Sequence, residues 1–214
     1  MEQGLASGGI PFAVGLSSIV RIPIPGTQGL AIELTPRGWV PRSGSTSVLF
    51  FQDLSGKRHL RLDFGYNVAS KTIDFHWNQS RTHATFGIAD HARAGSSGKA
   101  AYQVAKYFRV GGRVFALGGA AIDIASVVQA SQPLRRATVV AAAWAAAWLG
   151  CKATGAGGAA AGSLLSPLGA AAGGFAGCIV GGAAGYYGAS ALAGRVYAWA
   201  DGTHFSPLAR APKP

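Results

Sequence analysis

Four of the five histidines fall between positions 59 and 91, in the strings KRHLRLDF, IDFHWNQSRTH and FGIADH. Asp63, Asp74 and Asp90 accompany them, with Arg61 close by. A histidine base can work on a phosphodiester when a guanidinium beside it stabilises the charge that develops. Arg61, Asp74 and His76 are the residues that fit those roles, so the first candidate chemistry is attack on nucleic acid or a nucleotide. The plainer reading is a polar strand face, which His, Asp and Arg furnish without catalysis. No HExxH, nucleophile elbow, P-loop, dinucleotide fingerprint or zinc-ligand spacing occurs. The sequence therefore implies no cofactor and no metal, and the scattered basic residues form no recognition-helix pattern for specific DNA reading.

These residues need strands to hold them, and from 48 to 91 the apolar period is two. HLRLDF places Leu60, Leu62 and Phe64 on one face and His59, Arg61 and Asp63 on the other. After the turn GYNVAS, TIDFHW puts Ile73, Phe75 and Trp77 inward with Asp74 and His76 outward; HATFGIA repeats the alternation at Ala84, Phe86 and Ile88. This predicts a meander of three to four strands. One sheet cannot hide its own apolar face, so something must cover it.

Before the sheet, residues 1–47 carry Pro23, Pro25, Pro36 and Pro41 and read as irregular chain, with one short strand in LAIEL. After it come helices. SSGKAAYQVAKYF has Ser96 or Ser97 as its cap, and Ala101, Val104, Ala105 and Phe108 form a stripe that fits the sheet. VFALGGAAIDIASVVQA is apolar nearly all round, with Asp123 alone in it. Pro133 and then Ser166-Pro167 punctuate two further helical segments, the last from about 168 to 199. The predicted fold class is α+β, a small antiparallel sheet followed by a Gly/Ala-rich helical bundle or apolar helical hairpin. Its parts are an N-terminal segment 1–47, a sheet module 48–94, a helical region 95–200 and a tail 201–214.

Composition bears on what that helical region does. Of 214 residues 32 are glycine, only 13% are charged, and the net charge is +11. That sign favours anionic partners such as nucleic acid, lipid headgroups or an acidic protein. The charge is uneven: residues 153–194 contain no Lys, Arg, Asp, Glu or His. Cys151 and Cys178 allow one disulfide at most and read as buried free thiols. Glu2 stands where a secretory leader carries Lys or Arg, and Pro11 cuts the apolar run, so no cleaved signal peptide is read and export would need another route.

Within the uncharged run, Gly169, Gly173, Gly177, Gly181 and Gly185 recur at every fourth position. They fall along one slowly drifting helical face without side chains, where another backbone can approach closely. Other faces carry Phe175, Ile179, Val180, Tyr186 and Tyr187. Glycine costs up to ~1 kcal/mol against alanine in a helix interior, so close packing must offset the penalty. The expected partner is the segment 139–163, with Ser166-Pro167 at the tip of a hairpin. Both segments exceed the ~20 residues that cross a hydrocarbon core. Trp144, Trp148, Tyr197 and Trp199 then suit membrane interfaces. Ala and Gly are weakly hydrophobic, so the same pattern also suits a soluble small-residue core or a constitutive anchor.

The strings GKAAYQVAKYFRVGGRVFALGGAAIDI and PLRRATVVAAAWAAAWLGCKATGAGGAAAG, with the glycine ladder to Tyr197, resemble carboxy-terminal regions of bacterial polymorphic toxins and type VI secretion effectors. The resemblance covers roughly residues 95–205. It implies delivery into a competing bacterium, an immunity protein and a secretion chaperone in the producer, and for some such effectors depolarisation of the target's inner membrane, with self-association of the inserted chain. It carries no catalytic residue onto a position here. Three functions stay open: a membrane-permeabilising toxin, an enzymatic toxin using Arg61, Asp74 and His76, and a non-enzymatic structural or interaction protein.

Overall fold

The computed structural model describes residues 9–27, 29–34, 47–53, 58–79 and 86–204. Its elements are α1 (Gly9–Ile19), β1 (Ile22–Pro23), β2 (Ala31–Glu33), β3 (Leu49–Gln52), β4 (Arg58–Asn67), β5 (Thr72–Gln79), α2 (Gly95–Val128), α3 (Pro133–Ser163) and α4 (Pro167–His204). The five strands form one antiparallel sheet in chain order, and the long apolar helices follow it. The architecture is the α+β arrangement of a small sheet and a helical bundle.

The first helix departs from the irregular chain expected over residues 1–47. Pro11 sits in its opening turn, where a missing N–H costs little. Gly15 is needed for contact, because a side chain there would strike the backbone of Ala116. On α2, Gly112 receives Ser18 and the Val14 carbonyl in the same way. Phe12 stacks on Trp144 with centroids 5.2 Å apart, and Gly9 lies against the Tyr186 ring. The short helix thus fills the groove among the three long ones. Trp144 is thereby partly buried, stacked on Phe12 and packed against the core.

In the sheet, Ile22, Ile32, Phe51 and Leu60 align across four strands and are buried. Ile22 and Ile32 reach the glycines Gly155 and Gly174 of the helical hairpin, while Leu62 meets the first turn of α2 near Gly98. The expected inward row frays at the β4–β5 turn, where Phe64 and Ile73 are exposed. The opposite, polar face is not a solvent face: Asp63 and His76 are both buried. Phe86 and Ile88 lie in the connection to α2 rather than in a strand, and residues 80–85, including Ala84 and His83, lie outside the described residues.

One unbroken α2 replaces the two helices read from the sequence, and Ser96 and Ser97 lie inside its first turn. The residue at its N-cap is Ala94, with no side-chain cap. The next helix starts at Pro133, and Ser166 Oγ caps α4 by accepting the Gly169 N–H at 3.0 Å.

The hairpin of α3 and α4 is held by two matching ladders. A Cβ built on Gly169, Gly173, Gly177, Gly181 or Gly185 would fall on Gly162, Gly158, Thr154, Thr154 with Gly150, or Ala146 respectively. The partners advance by four along one helix as they retreat by four along the other. Thr154 Oγ lies 2.5 Å from the Gly177 carbonyl and 2.7 Å from that of Gly150. At the middle of this contact Cys151 and Cys178 form a disulfide, their Cα atoms 3.7 Å apart, in place of the free thiols expected. Bridging residues 27 apart constrains the unfolded chain by about 3.5 kcal/mol in the chain-entropy account.

Two measurements follow from this packing. Gly177→Leu forces side-chain atoms into the α3 backbone and should cost at least the ~1–3 kcal/mol of ordinary overpacking. Gly188→Ala, where a Cβ meets nothing, should instead raise stability by up to ~1 kcal/mol. Thermal unfolding of both variants checks the contrast; equal shifts would show the ladder to be inert. Cys151→Ala/Cys178→Ala should lower stability by about 2–4 kcal/mol on loss of the cross-link.

Candidate functional site

The β4–β5 hairpin brings the sequence-selected polar residues onto one sheet face. Cross-strand register sets Asp63 opposite His76, Gly65 opposite Asp74, and Arg61 opposite Asn78. His76 Nδ1 stands 3.1 Å from Asp74 Oδ1, so this pair is joined directly. Arg61 is not part of that contact: its Nε lies 3.0 Å from Asp63 Oδ2. The row therefore alternates in residue type, Arg61, Asp63, His76, Asp74 and then Arg93, whose Nε is 3.2 Å from Asp74 Oδ2.

Asp74 is the hub, and its other partners escaped the sequence reading. Ser70 Oγ and Thr72 Oγ1 donate to Oδ2 at 2.9 and 3.2 Å, and Asn67 Nδ2 donates to Oδ1 at 3.1 Å. Asn67 Oδ1 also accepts the Ala69 and Ser70 N–H groups, so one side chain shapes the turn and aims at the carboxylate. Asn67 ahead of a polar turn was the available signal. Beyond β5, residues 92–94 run along the strand edge: Trp77 N–H donates to the Ala92 carbonyl and Ala94 N–H to that of Phe75. This places His91 against His76, ring centroids 5.7 Å apart, and delivers the chain to α2.

Environment separates the two aspartates. Burial pushes the Asp63 carboxyl up, and it stays above the ordinary value despite Arg61, the Asn78 hydrogen bond and His76. Ser47 Oγ donates to it as well. Desolvation also acts to raise Asp74, but the hydrogen bonds from Ser70, Asn67, Thr72 and His76 together outweigh it and hold this carboxyl below its ordinary value.

Beside this row an open depression of about 470 Å³ is lined by Phe64, Ile73, Asp74, Arg93, Ser96 and Lys99 among others. Neither His76 nor Arg61 lines it. The geometry supplies an oriented His–Asp pair but separates its imidazole from the cleft. Among the described residues no three His, Cys, Asp or Glu side chains gather as a metal site.

The helices hold a second polar cluster. Asp123 is fully buried; its Oδ1 accepts from Tyr186 Oη at 2.6 Å and its Oδ2 from Trp144 Nε1 at 2.8 Å. Arg136 Nη2 stands 3.9 Å from Oδ1, and its Nε donates to Ser126 Oγ at 2.8 Å. One carboxylate thus joins α2, α3 and α4. Its solitude in an apolar stretch was visible in the sequence, but its partners, up to 63 residues away, were not.

Each long helix is long and apolar enough to cross a membrane. At 34, 31 and 38 residues they run to about 51, 46 and 57 Å. Many of their bulky apolar side chains point outward: Val114, Leu117 and Ile124 on α2, Trp148 and Leu149 on α3, Val180, Leu192 and Trp199 on α4, while Val139, Val140, Phe175 and Tyr186 are buried. Small residues point inward, with Ala105, Ala143, Ala147, Ala159 and Ala170 buried. Lys152, the lone charge of residues 137–163, sets its ammonium 4.2 Å from the Trp148 ring centroid.

The opposite shifts of the aspartates give a signed test. A lowered folded pKa makes the Asp74 contribution present above its unfolded value near ~3.9 and lost as pH falls through the folded value. Asp74→Asn should therefore cost more at pH 7 than at pH 3. For Asp63 the sign reverses: its contribution is present below ~3.9 and lost as pH rises through the raised folded value. Asp63→Asn should cost less at pH 7 than at pH 3. Denaturant midpoints at both pH values decide, and parallel curves for the two variants would contradict the assignment. Comparison of the whole chain with protein-family models, with curated proteins and with solved structures finds no match, so function must be argued from this chain's own surfaces.

Proposed function

We propose that the protein is an antibacterial effector toxin that inserts its Gly/Ala-rich helices into a target cell's inner membrane and permeabilises it. One observation carries this reading: the α3–α4 contact is made of small residues, and most of the bulky apolar side chains of the three long helices, Phe175 and Tyr186 among the exceptions, lie outside. Water-soluble bundles bury their large apolar groups. Membrane bundles, whose solvent is itself apolar, place small residues between helices and lose nothing by turning large ones outward. Contiguous apolar surface on this scale marks a contact with membrane or protein.

The remaining features fit the same account. Lys99, Lys106, Arg109 and Arg113 lie between the start and the middle of α2, suited to anionic headgroups, and beyond them Asp123 is the one charged residue of the helix. The resemblance to type VI effectors supplies delivery without a cleaved signal, an immunity protein and a secretion chaperone as proposed partners. In the producing cell the chain would be soluble or chaperone-bound, its apolar exterior covered until delivery.

A second reading draws on the 3.1 Å contact of His76 with Asp74: an enzymatic toxin acting on nucleic acid or a nucleotide, with Arg61 at the same face. Inducible expression in bacteria, following membrane potential and nucleic-acid integrity together, separates the two. Loss of potential ahead of any nucleic-acid damage is expected. Damage arriving first, and abolished by His76→Ala, would give the enzymatic reading precedence. In vitro, the protein should release dye from anionic vesicles, and Gly177→Leu should release less at equal membrane binding. Vesicles that stay sealed under efficient binding of the parent would sink the permeabilising function.

A further inference from the structure

The second helix carries heptad patterns on two opposite sides. Inward, Gly98, Ala105, Gly112, Gly119 and Ser126 recur every seven residues and are buried. Outward, Tyr107, Val110, Val114, Leu117, Ala121, Ile124 and Val128 follow one another at steps of three and four, and all are exposed. Tyr107 is 78% and Leu117 73% accessible. Steps of three and four mark a seam along which one helix packs on another.

The flank of this seam is open to a backbone. A Cβ built on Gly118 meets nothing, and one on Gly111 meets only the Phe115 ring. These glycines, unlike those of the α3–α4 ladder, are not used inside the fold. The seam spans about 33 Å. With its flanks it offers on the order of 700 Å² per copy, near the ~800 Å² that each partner gives a standard interface. Such a patch exceeds the ~300–600 Å² typical of the largest on a monomer.

Charge narrows the occupant. No seam position is charged, and the flanking cations Lys106 and Arg113 lie on the side away from Gly111 and Gly118. In a parallel pair of identical helices these cations face the partner's glycines; in an antiparallel pair they face the positions of Val127 and Ala120. Neither arrangement sets like charges together, so the surface is complementary to itself. We propose that a second copy of this chain docks here, α2 against α2 along the Tyr107–Val128 seam. The pairing goes beyond the permeabilising function and stands without it.

The test uses the full chain. Leu117 lies at the centre of the seam and meets its own counterpart in either direction of pairing. Leu117→Cys, treated with copper-phenanthroline in buffer and again with anionic vesicles, should give covalent dimer at least tenfold above Leu192→Cys, a control on α4 that is also well exposed. Leu117→Glu should weaken self-association at least tenfold in sedimentation equilibrium, and Leu192→Glu should leave it unchanged. Equal cross-linking of the two cysteine variants, no cross-linking of either, or dimers indifferent to Leu117→Glu would overturn the proposal. Dimers without vesicle leakage would keep the seam and remove the permeabilising function; leakage by a strict monomer would do the reverse.

Discussion

Backbone-to-backbone contact between α3 and α4 is the constraint on which the helical region depends. Carbonyl oxygens of one helix occupy the space that side chains of the other would need, at five successive steps. Two helices this close leave no room for large residues between them, so Trp148, Leu149, Val180 and Leu192 lie on outer faces, and Phe175 and Tyr186 are buried against α2 and α1 instead. The same proximity brings Cys151 and Cys178 within bonding reach and lets Ile22 of the sheet enter beside Gly155 and Gly174. Glycine's entropic penalty is offset by the dispersion contacts and the Thr154 hydrogen bond that only this spacing allows.

What that hairpin cannot do by itself is hold α2, which meets it mainly through α1 and through one polar cluster. Asp123 supplies the directional part of the joint. Both its oxygens are engaged, one by Tyr186 of α4 and one by Trp144 of α3, with Arg136 nearby as counter-charge. An isolated buried carboxylate would be costly; a fully partnered one specifies position. Phe12 stacked on Trp144 adds shape to polarity at this joint, and Phe108 on Phe175 ties α2 to α4 farther along the helix.

Legibility in the sequence followed the range of the interaction. Strands β4 and β5 were readable because alternation is a local signal, although Gly65, Tyr66 and Asn67 of the expected turn belong to β4 and the chain turns at 68–71. Helices α3 and α4 were readable because Pro133 and Pro167 open them, whereas α2, with no such mark, was read as two helices. The helix Gly9–Ile19 was not, since its glycines and Pro11 spell a loop locally and become helical only where Ala116 and Tyr186 require close approach. The face of His76 was read correctly as shared with Asp74 but wrongly as solvent-facing, because alternation reports sidedness and says nothing about what covers a side. For the glycines the sequence held both ladders. Only Gly169 to Gly185 stood out, because its counterpart is written with Ala146 and Thr154 among its glycines.

The two polar clusters and the apolar exterior answer to different solvents. Asp123, Tyr186, Trp144 and the glycine contacts are satisfied from within, so nothing about them changes when water outside is replaced by hydrocarbon. The outward Val, Leu and Ile side chains are costly in water and at ease in lipid. A chain built this way need not refold its helical interior in order to change phase; the free energy of transfer acts on its surface. The sheet region differs: Arg61 and Arg93 stay partly exposed beside the Asp and His row, and hydrocarbon would not solvate such charges.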